Sequence, residues 1–349
     1  MGRISLDCRS ATAYTGLMAP GNRNNPKRSR SSEASYSLME FMADFPDDET
    51  CLNWLWRTRC ATNEAGTEAQ CPRCECLREF KRYGTHQQRQ SWTCTACGQH
   101  VHPTAGTIFH KSSTSLHLWF YAMYLMTSTR CGISAKQLER ELGVTYKTAW
   151  RMFTLIRNEL MVQDEGDQLR GEVEMDEMYV GGKPRASDKA SWAEAPNRSV
   201  AAQRWSKAHK TPVFGMVERS GRVRAYVVPH KLHGAVKKHI LVDVEPGTEL
   251  YTDDSRIYDY LEPEGWYHQK VQHAQEVFVS GPVHTQTIDG FWSLVKRGIS
   301  GTHYHVSAKW LQGYLNEYAW RYNRRGKDDD GNRRLMFLDL ILRSALTSR

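Results

Sequence analysis

Apolar residues along the chain alternate between helical and strand-like spacing, and the changes of spacing divide it into regions. Leu38, Phe41 and Met42, then Cys51, Leu52, Leu55 and Trp56, recur at intervals of three and four, which predicts helix over 37–60. An apolar helix is expected over 115–128. Ser134, with Gln137 reaching back to it, starts the next helix and Gly143 ends it. A further helix over 146–161 would turn Ala149, Trp150, Phe153 and Ile156 inward. Beyond a polar break at 164–167 the pattern becomes strand-like. Val173, Met175, Met178, Tyr179 and Val180 stop at a Gly181-Gly182 pair. Val213, Phe214, Met216 and Val217 face Val223, Tyr226, Val227 and Val228 across a turn at Ser220-Gly221. A helix over 234–241 leads to a short strand that ends near Asp253. An apolar piece at 277–279 and a Gly281-Pro282 turn precede a helix over 284–297 with Ile288, Trp292 and Val295 inward. The stripe Trp310, Tyr314 and Tyr318 in a helix over 309–321 reads as core rather than base stacking. A loop over 327–332 and an apolar helix over 335–346 close the chain, and the fold class is α+β multidomain.

Charge narrows the class of partner. Lys and Arg total 47 against 39 Asp and Glu, a net +8, which favours a polyanionic partner, a class that includes double-stranded DNA but is not narrowed to it by charge. Residues 290–325 hold six Lys or Arg and a single acid, Glu317, so a positive surface is expected there. No apolar run reaches membrane-spanning length and no apolar signal core opens the chain, which predicts no membrane partner and a cytoplasmic, nucleoid-associated location, or a nuclear one in a eukaryotic host. Residues 1–36, rich in Arg, Asn, Ser and Gly, read as a disordered tail. The stretch 183–210, with Lys183, Arg185, Arg198, Arg204 and Lys210, reads as an exposed basic insertion.

Four of the nine cysteines form two Cys-x-x-Cys knuckles, Cys71/Cys74 and Cys94/Cys97, with 19 residues between them. Each knuckle puts two thiolates on a tight turn, and two knuckles make the tetrahedral set of a structural Zn²⁺, the spacing of a zinc ribbon. Strands between the knuckles would carry Arg78, Lys81, Arg82 and Arg89 outward, although a ribbon that only staples the fold is the competing reading. The paired helices after it read as a helix-turn-helix with Tyr146, Lys147 and Arg151 toward the major groove, or else as an ordinary helical hairpin.

Asp176 falls inside a strand that reads as buried, where a lone carboxylate is costly without a partner. Asp253, at the end of a later strand, and Asp289, near the start of a helix, are the acids that could join it. Lys296 lies two turns beyond Asp289 on nearly the same face. Three carboxylates held together stay ionised by binding hard divalent cations, Mg²⁺ or Mn²⁺, the arrangement of phosphoryl-transfer enzymes.

The order Asp176, Asp253, Asp289, with 35 residues between the second and third, resembles the DDE pattern of transposases and integrases on a ribonuclease H-like fold. The phrases MDEMYVGGK, YTDDSRIY, VHTQTIDGFWSLVKRGISGTHYHVS and YLNEYAWRYNRR resemble bacterial insertion-sequence transposases of the ISXO type, relatives of the eukaryotic Merlin elements. The likeness runs from about residue 37 to about 338. It implies a mixed-sheet α/β catalytic domain over 168–325, after a helical segment with the zinc ribbon over 37–113 and a helix-turn-helix over 114–163, with a terminal loop and helix over 326–349. It also implies binding to the element's terminal inverted repeats, with metal-dependent cleavage and strand transfer by a homodimer or higher assembly. Asp176, Asp253 and Asp289 would be the Mg²⁺ ligands; Lys296 and Arg297 would lie against DNA. Where the family has Glu, this chain has Asp289, one methylene shorter, and Gln286 stands where Asn is usual. Asp289 ranks first as third ligand because Lys296 is in register with it, and Gln286 is the alternative. The rival functions are an inactive or domesticated DNA-binding protein and a ribonuclease H-like nuclease.

Overall fold

The computed structural model describes residues 36–83, 91–129, 131–163, 168–181, 210–219, 221–229, 232–271, 284–325 and 336–346. The expected tail up to residue 35, Arg89, the acidic break at 164–167, the insertion from Lys183 to residue 209, the apolar piece at 277–279 with its Gly-Pro turn, and the loop at 327–332 lie outside them.

The first helical stretch is two helices, α1 (Leu38–Asp44) and α2 (Asp48–Arg59). Ser37 and Glu40 form a reciprocal capping box on α1, and Asp47 accepts from the amide of Thr50 to start α2. This break changes the inward set. Phe41 is buried among the rings of Tyr121, Tyr124 and Phe337, whereas Leu38 and Met42 of the same helix are exposed. A helix of two turns seats only one side on its neighbours.

Four short strands follow, β1 (Glu68–Gln70), β2 (Leu77–Arg82), β3 (Trp92–Cys94) and β4 (His100–Val101), antiparallel in that spatial order. Strands β1 and β4 are too short to show a period in the sequence. Trp92 on β3 stacks on Trp56 of α2 with ring centroids 4.5 Å apart, and this fastens the small sheet to the helices.

Helix α3 (Leu116–Ser128) is capped by Ser115 and almost wholly buried. Helix α4 (Ala135–Leu142) starts where Ser134 accepts from the Gln137 amide, and ends at Gly143 with φ 63°, a left-handed position that favours glycine. The Gln137 side chain bonds forward to Glu141 rather than back to the cap. Thr145 caps α5 (Tyr146–Leu155), which continues into a π-helical turn at Ile156–Leu160. Ala149, Phe153 and Ile156 point inward as expected and Met152 joins them, while Trp150 is half-buried edge-on to Trp310.

The larger sheet contains β5 (Glu172–Val180), β6 (Thr211–Glu218), β7 (Val223–Val227), β8 (Glu249–Asp253) and β9 (Tyr267–Val271), with helix α6 (Leu232–Asp243) between β7 and β8. Its order is β7-β6-β5-β8-β9; β5, β6 and β7 are antiparallel, and β8 and β9 run parallel to β5. Val173, Met175, Phe214 and Met216 pack on one face with Val236 and Ile240 of α6. The other face carries Met178, Val213, Val217 and Ala225 and meets α7 (Gln286–Gly298) and α8 (Ala308–Asn323). Strand β9 gave no signal in the sequence: Tyr267 is exposed and only His268 and Val271 are buried, as suits a polar edge strand.

The terminal helix α9 (Met336–Leu346) packs on α2 and α3, with Phe337 against Tyr36, Phe41 and Phe45. At the joint between α5 and α8, Arg157 donates to Glu317 at 2.6 Å with both side chains buried. No helix among the described residues is long and apolar enough to cross a membrane.

Candidate active site

Side chains alternate along a strand, so Glu174 and Asp176 of β5 point to the α7 side while Val173 and Met175 point to the α6 side. In the parallel pairing Glu174 lies beside Tyr251 of β8, and two residues further along each strand come Asp176 and Asp253. Asp253 ends β8, where its Oδ1 accepts from the Ser255 amide at 3.1 Å and is held at the turn. Asp289 stands in the first turn of α7, which packs on β5 and β6. Three acids distant in sequence therefore share one face.

Their mutual field is visible in Asp176. Burial, then the charge of Asp253 and more weakly that of Asp289, push its carboxyl up to about 6; the Glu177 amide and the Trp292 indole pull the other way. The trio is more open than the cysteine cluster. Among the described residues, the group of three or more His, Cys, Asp or Glu whose ligand atoms all lie within 4.8 Å of one another is Cys71, Cys74, Cys94 and Cys97. Four sulfurs at that spacing fit Zn²⁺, and an oxygen-only acidic site fits Mg²⁺ or Mn²⁺.

Two contacts that the sequence did not disclose hold the acids. The Trp292 Nε1 donates to Asp176 Oδ2 at 3.0 Å. Its ring lies on Gly215, the β6 residue paired with Asp176, and a Cβ on that glycine would come within 2.5 Å of the ring. A glycine inside an apolar strand was the available signal. Glu174, fully buried, accepts from the Thr287 amide at 2.8 Å, the Ile288 amide at 3.1 Å, the Thr287 hydroxyl at 3.0 Å and Arg219 Nε at 3.0 Å. Arg219 also reaches Glu172 and the His284 carbonyl and lies over the Tyr251 ring. His284 Nδ1 is 3.1 Å from Glu174, so this histidine belongs to that cluster.

The remaining expected residues divide by place. Lys296 and Arg297 are exposed in the last turn of α7, where Arg297 Nε donates to the Ser293 carbonyl. Glu177 points to the opposite face, hydrogen-bonded by the Tyr258 hydroxyl. Tyr146, Lys147 and Arg151 are exposed on α5, with Lys136 over the Tyr146 ring and Arg151 over Trp119. On the small sheet, Arg82 is tied to Glu49 and Lys81 lies 3.7 Å from Glu79. Gln286 is exposed at the start of α7.

The acidic face lies on a mixed sheet that follows the sheet with the four cysteines and the paired helices. Residues 168–323 match the ISXO2-like transposase domain, which together with the first of the relatives below supports an insertion-sequence transposase of that type. It is 29% identical over 265 residues to an uncharacterized protein in transposable element ISH50 of Halobacterium salinarum, covering 74% of this chain and 87% of that one. It is also 29% identical over 108 residues to an uncharacterized transposase-like protein of Haemophilus influenzae, 29% of this chain and 81% of the relative.

Proposed function

We propose that the chain binds the terminal inverted repeats of its own element, cleaves the DNA there and joins the freed end to a target. The carrying observation is that Asp176 and Asp253 lie at matching positions on neighbouring parallel strands, with Asp289 in the first turn of the helix packed on that sheet. These three would hold Mg²⁺ or Mn²⁺, which when bound activates an attacking oxygen and stabilises a leaving one. Trp292 keeps one oxygen of Asp176 engaged and so fixes the direction of the other. Lys296 and Arg297 offer positive charge to the DNA backbone beside the acids.

Strand order and the β-β-β-α-β sequence of the large sheet support a ribonuclease H-like catalytic domain over 168–325. The cap, the glycine turn and the exposed Tyr146, Lys147 and Arg151 support reading α4 and α5 as a helix-turn-helix that enters the major groove. The cysteine quartet supports a zinc ribbon, whose part in end binding would be to fold and orient the basic strand β2. Assembly as a homodimer or higher on paired DNA ends follows from the need to process both ends together.

Cleavage of a labelled oligonucleotide carrying the terminal repeat tests this. With Mg²⁺ or Mn²⁺ the wild type cleaves and transfers strands. Asp176→Asn and Asp253→Asn each lose on the order of 10³-fold in cleavage rate, about 4 kcal/mol of barrier, while still binding the end. Wild-type cleavage by both variants would reject the assignment, and end binding without cleavage by the wild type would leave a DNA-binding protein. Cys71→Ser is expected to lose zinc and end binding together.

A further inference from the structure

We infer that Glu174 is a positioning residue for the third acid: it seats the start of α7 on β5 and so sets where Asp289 stands relative to Asp176. This deepens the metal-site reading and rests on it.

Helix α7 lacks a cap of its own. Thr285, in the N-cap position, makes no side-chain cap bond, yet the amides of Thr287 and Ile288 need acceptors. Glu174 supplies them from a strand 113 residues earlier, and adds the Thr287 hydroxyl. Asp289 is the next residue along the helix. One turn further on, Trp292 bonds to Asp176 and lies on Gly215. The two ties therefore bracket Asp289, one on each side, and both end on β5 two residues apart. Slippage of α7 by one turn, about 5.4 Å, or rotation about its axis would break both.

The chemistry of the latch argues against mere packing. A fully buried carboxylate is expensive to keep even when paired, and an apolar residue of similar volume is often as stable or more so. What an apolar residue cannot do is fix the helix start by directional bonds. Arg219 supplies the compensating charge, held in turn by Glu172 and by the ring of Tyr251. Asp289 reaches one methylene less far than a glutamate would, so its usefulness as a ligand depends more strongly on where the helix is seated.

Mn²⁺ binding to the full-length, zinc-loaded protein without DNA tests the role, read from the electron paramagnetic resonance signal of unbound Mn²⁺, alongside thermal melting. Glu174→Gln is expected to weaken Mn²⁺ binding roughly 10–100-fold, as loss of a group that orients a metal ligand does. Thr287→Val removes one of the four bonds and shifts affinity in the same direction by less. A purely structural Glu174 would lower the melting temperature of Glu174→Gln and leave its Mn²⁺ affinity unchanged, and that result overturns the inference. If Glu174→Gln does not fold, unchanged Mn²⁺ affinity in Thr287→Val overturns it equally. Asp176→Asn separates the two levels. If it too binds Mn²⁺ as the wild type does, the metal site itself is rejected; if it weakens binding and Glu174→Gln does not, only the positioning role falls.

Discussion

Two clusters of charge involve the α7 and α8 helices, and they are built on opposite rules. Arg157 and Glu317 face each other across the α5–α8 joint, both almost completely buried, with the guanidinium stacked 3.5 Å from the centroid of Phe153 and 3.8 Å from that of Tyr314. Opposite charges there cancel, and aromatic rings close around them. At the sheet, Asp176, Asp253 and Asp289 gather like charges, and the N–H groups of Trp292, Glu177 and Ser255 face the first two. A cluster neutral in itself makes a joint. A cluster of like charge, the place proposed for cations, is held at some cost to stability.

Removing one partner should therefore have opposite signs at the two places. Glu317→Leu strands a buried guanidinium and is expected to destabilise the protein by about 3–5 kcal/mol, measured by urea or thermal unfolding, with much of the loss recovered when Arg157→Met is added. Next in size is a pH effect at the same joint. His303 Nε2 lies 3.4 Å from Arg157, and burial first, then the guanidinium, hold its imidazole down at about 4 against an ordinary 6.5, with Glu317 opposing. Because the folded value is the lower one, the unfolded chain takes up the proton first. Stability is present above pH 6.5 and is lost as pH falls toward 4, by on the order of 3 kcal/mol, and His303→Gln should lack that part of the slope. At the acids the sign reverses: with chelator present, Asp176→Asn is expected to raise stability by about 1 kcal/mol because it relieves repulsion. A loss of several kcal/mol there would mean that the trio is compensated as the joint is. The smallest change is Asp289→Glu, which should keep or raise strand cleavage by restoring the longer reach. If Asp289→Ala cleaves normally and Gln286→Ala does not, the third ligand is Gln286.

Much of the larger sheet was legible because its strands obey simple alternation. Val173 and Met175 against Asp176, and Ile288, Trp292 and Val295 on α7, fall where their spacing put them. The helix cap at Ser134 and the turn at Gly143 could be read from the sequence because they are local features. The stretch over 37–60 was read as helical without the break at residues 45–47, which the caps impose. Strand β9 was missed because an edge strand with few buried residues has little apolar signal.

By itself, then, the sequence determined the elements with local causes, the cysteine quartet through its knuckles, and the candidate acids through the cost of a carboxylate in an apolar strand. The tertiary structure alone decided which acids meet, and through what. Glu174 bonding to the amides of α7, Trp292 lying on Gly215, and Arg157 closing on Glu317 are contacts between positions 113, 77 and 160 residues apart. No periodicity encodes them, because a side chain's partner across the fold is set by how the layers stack.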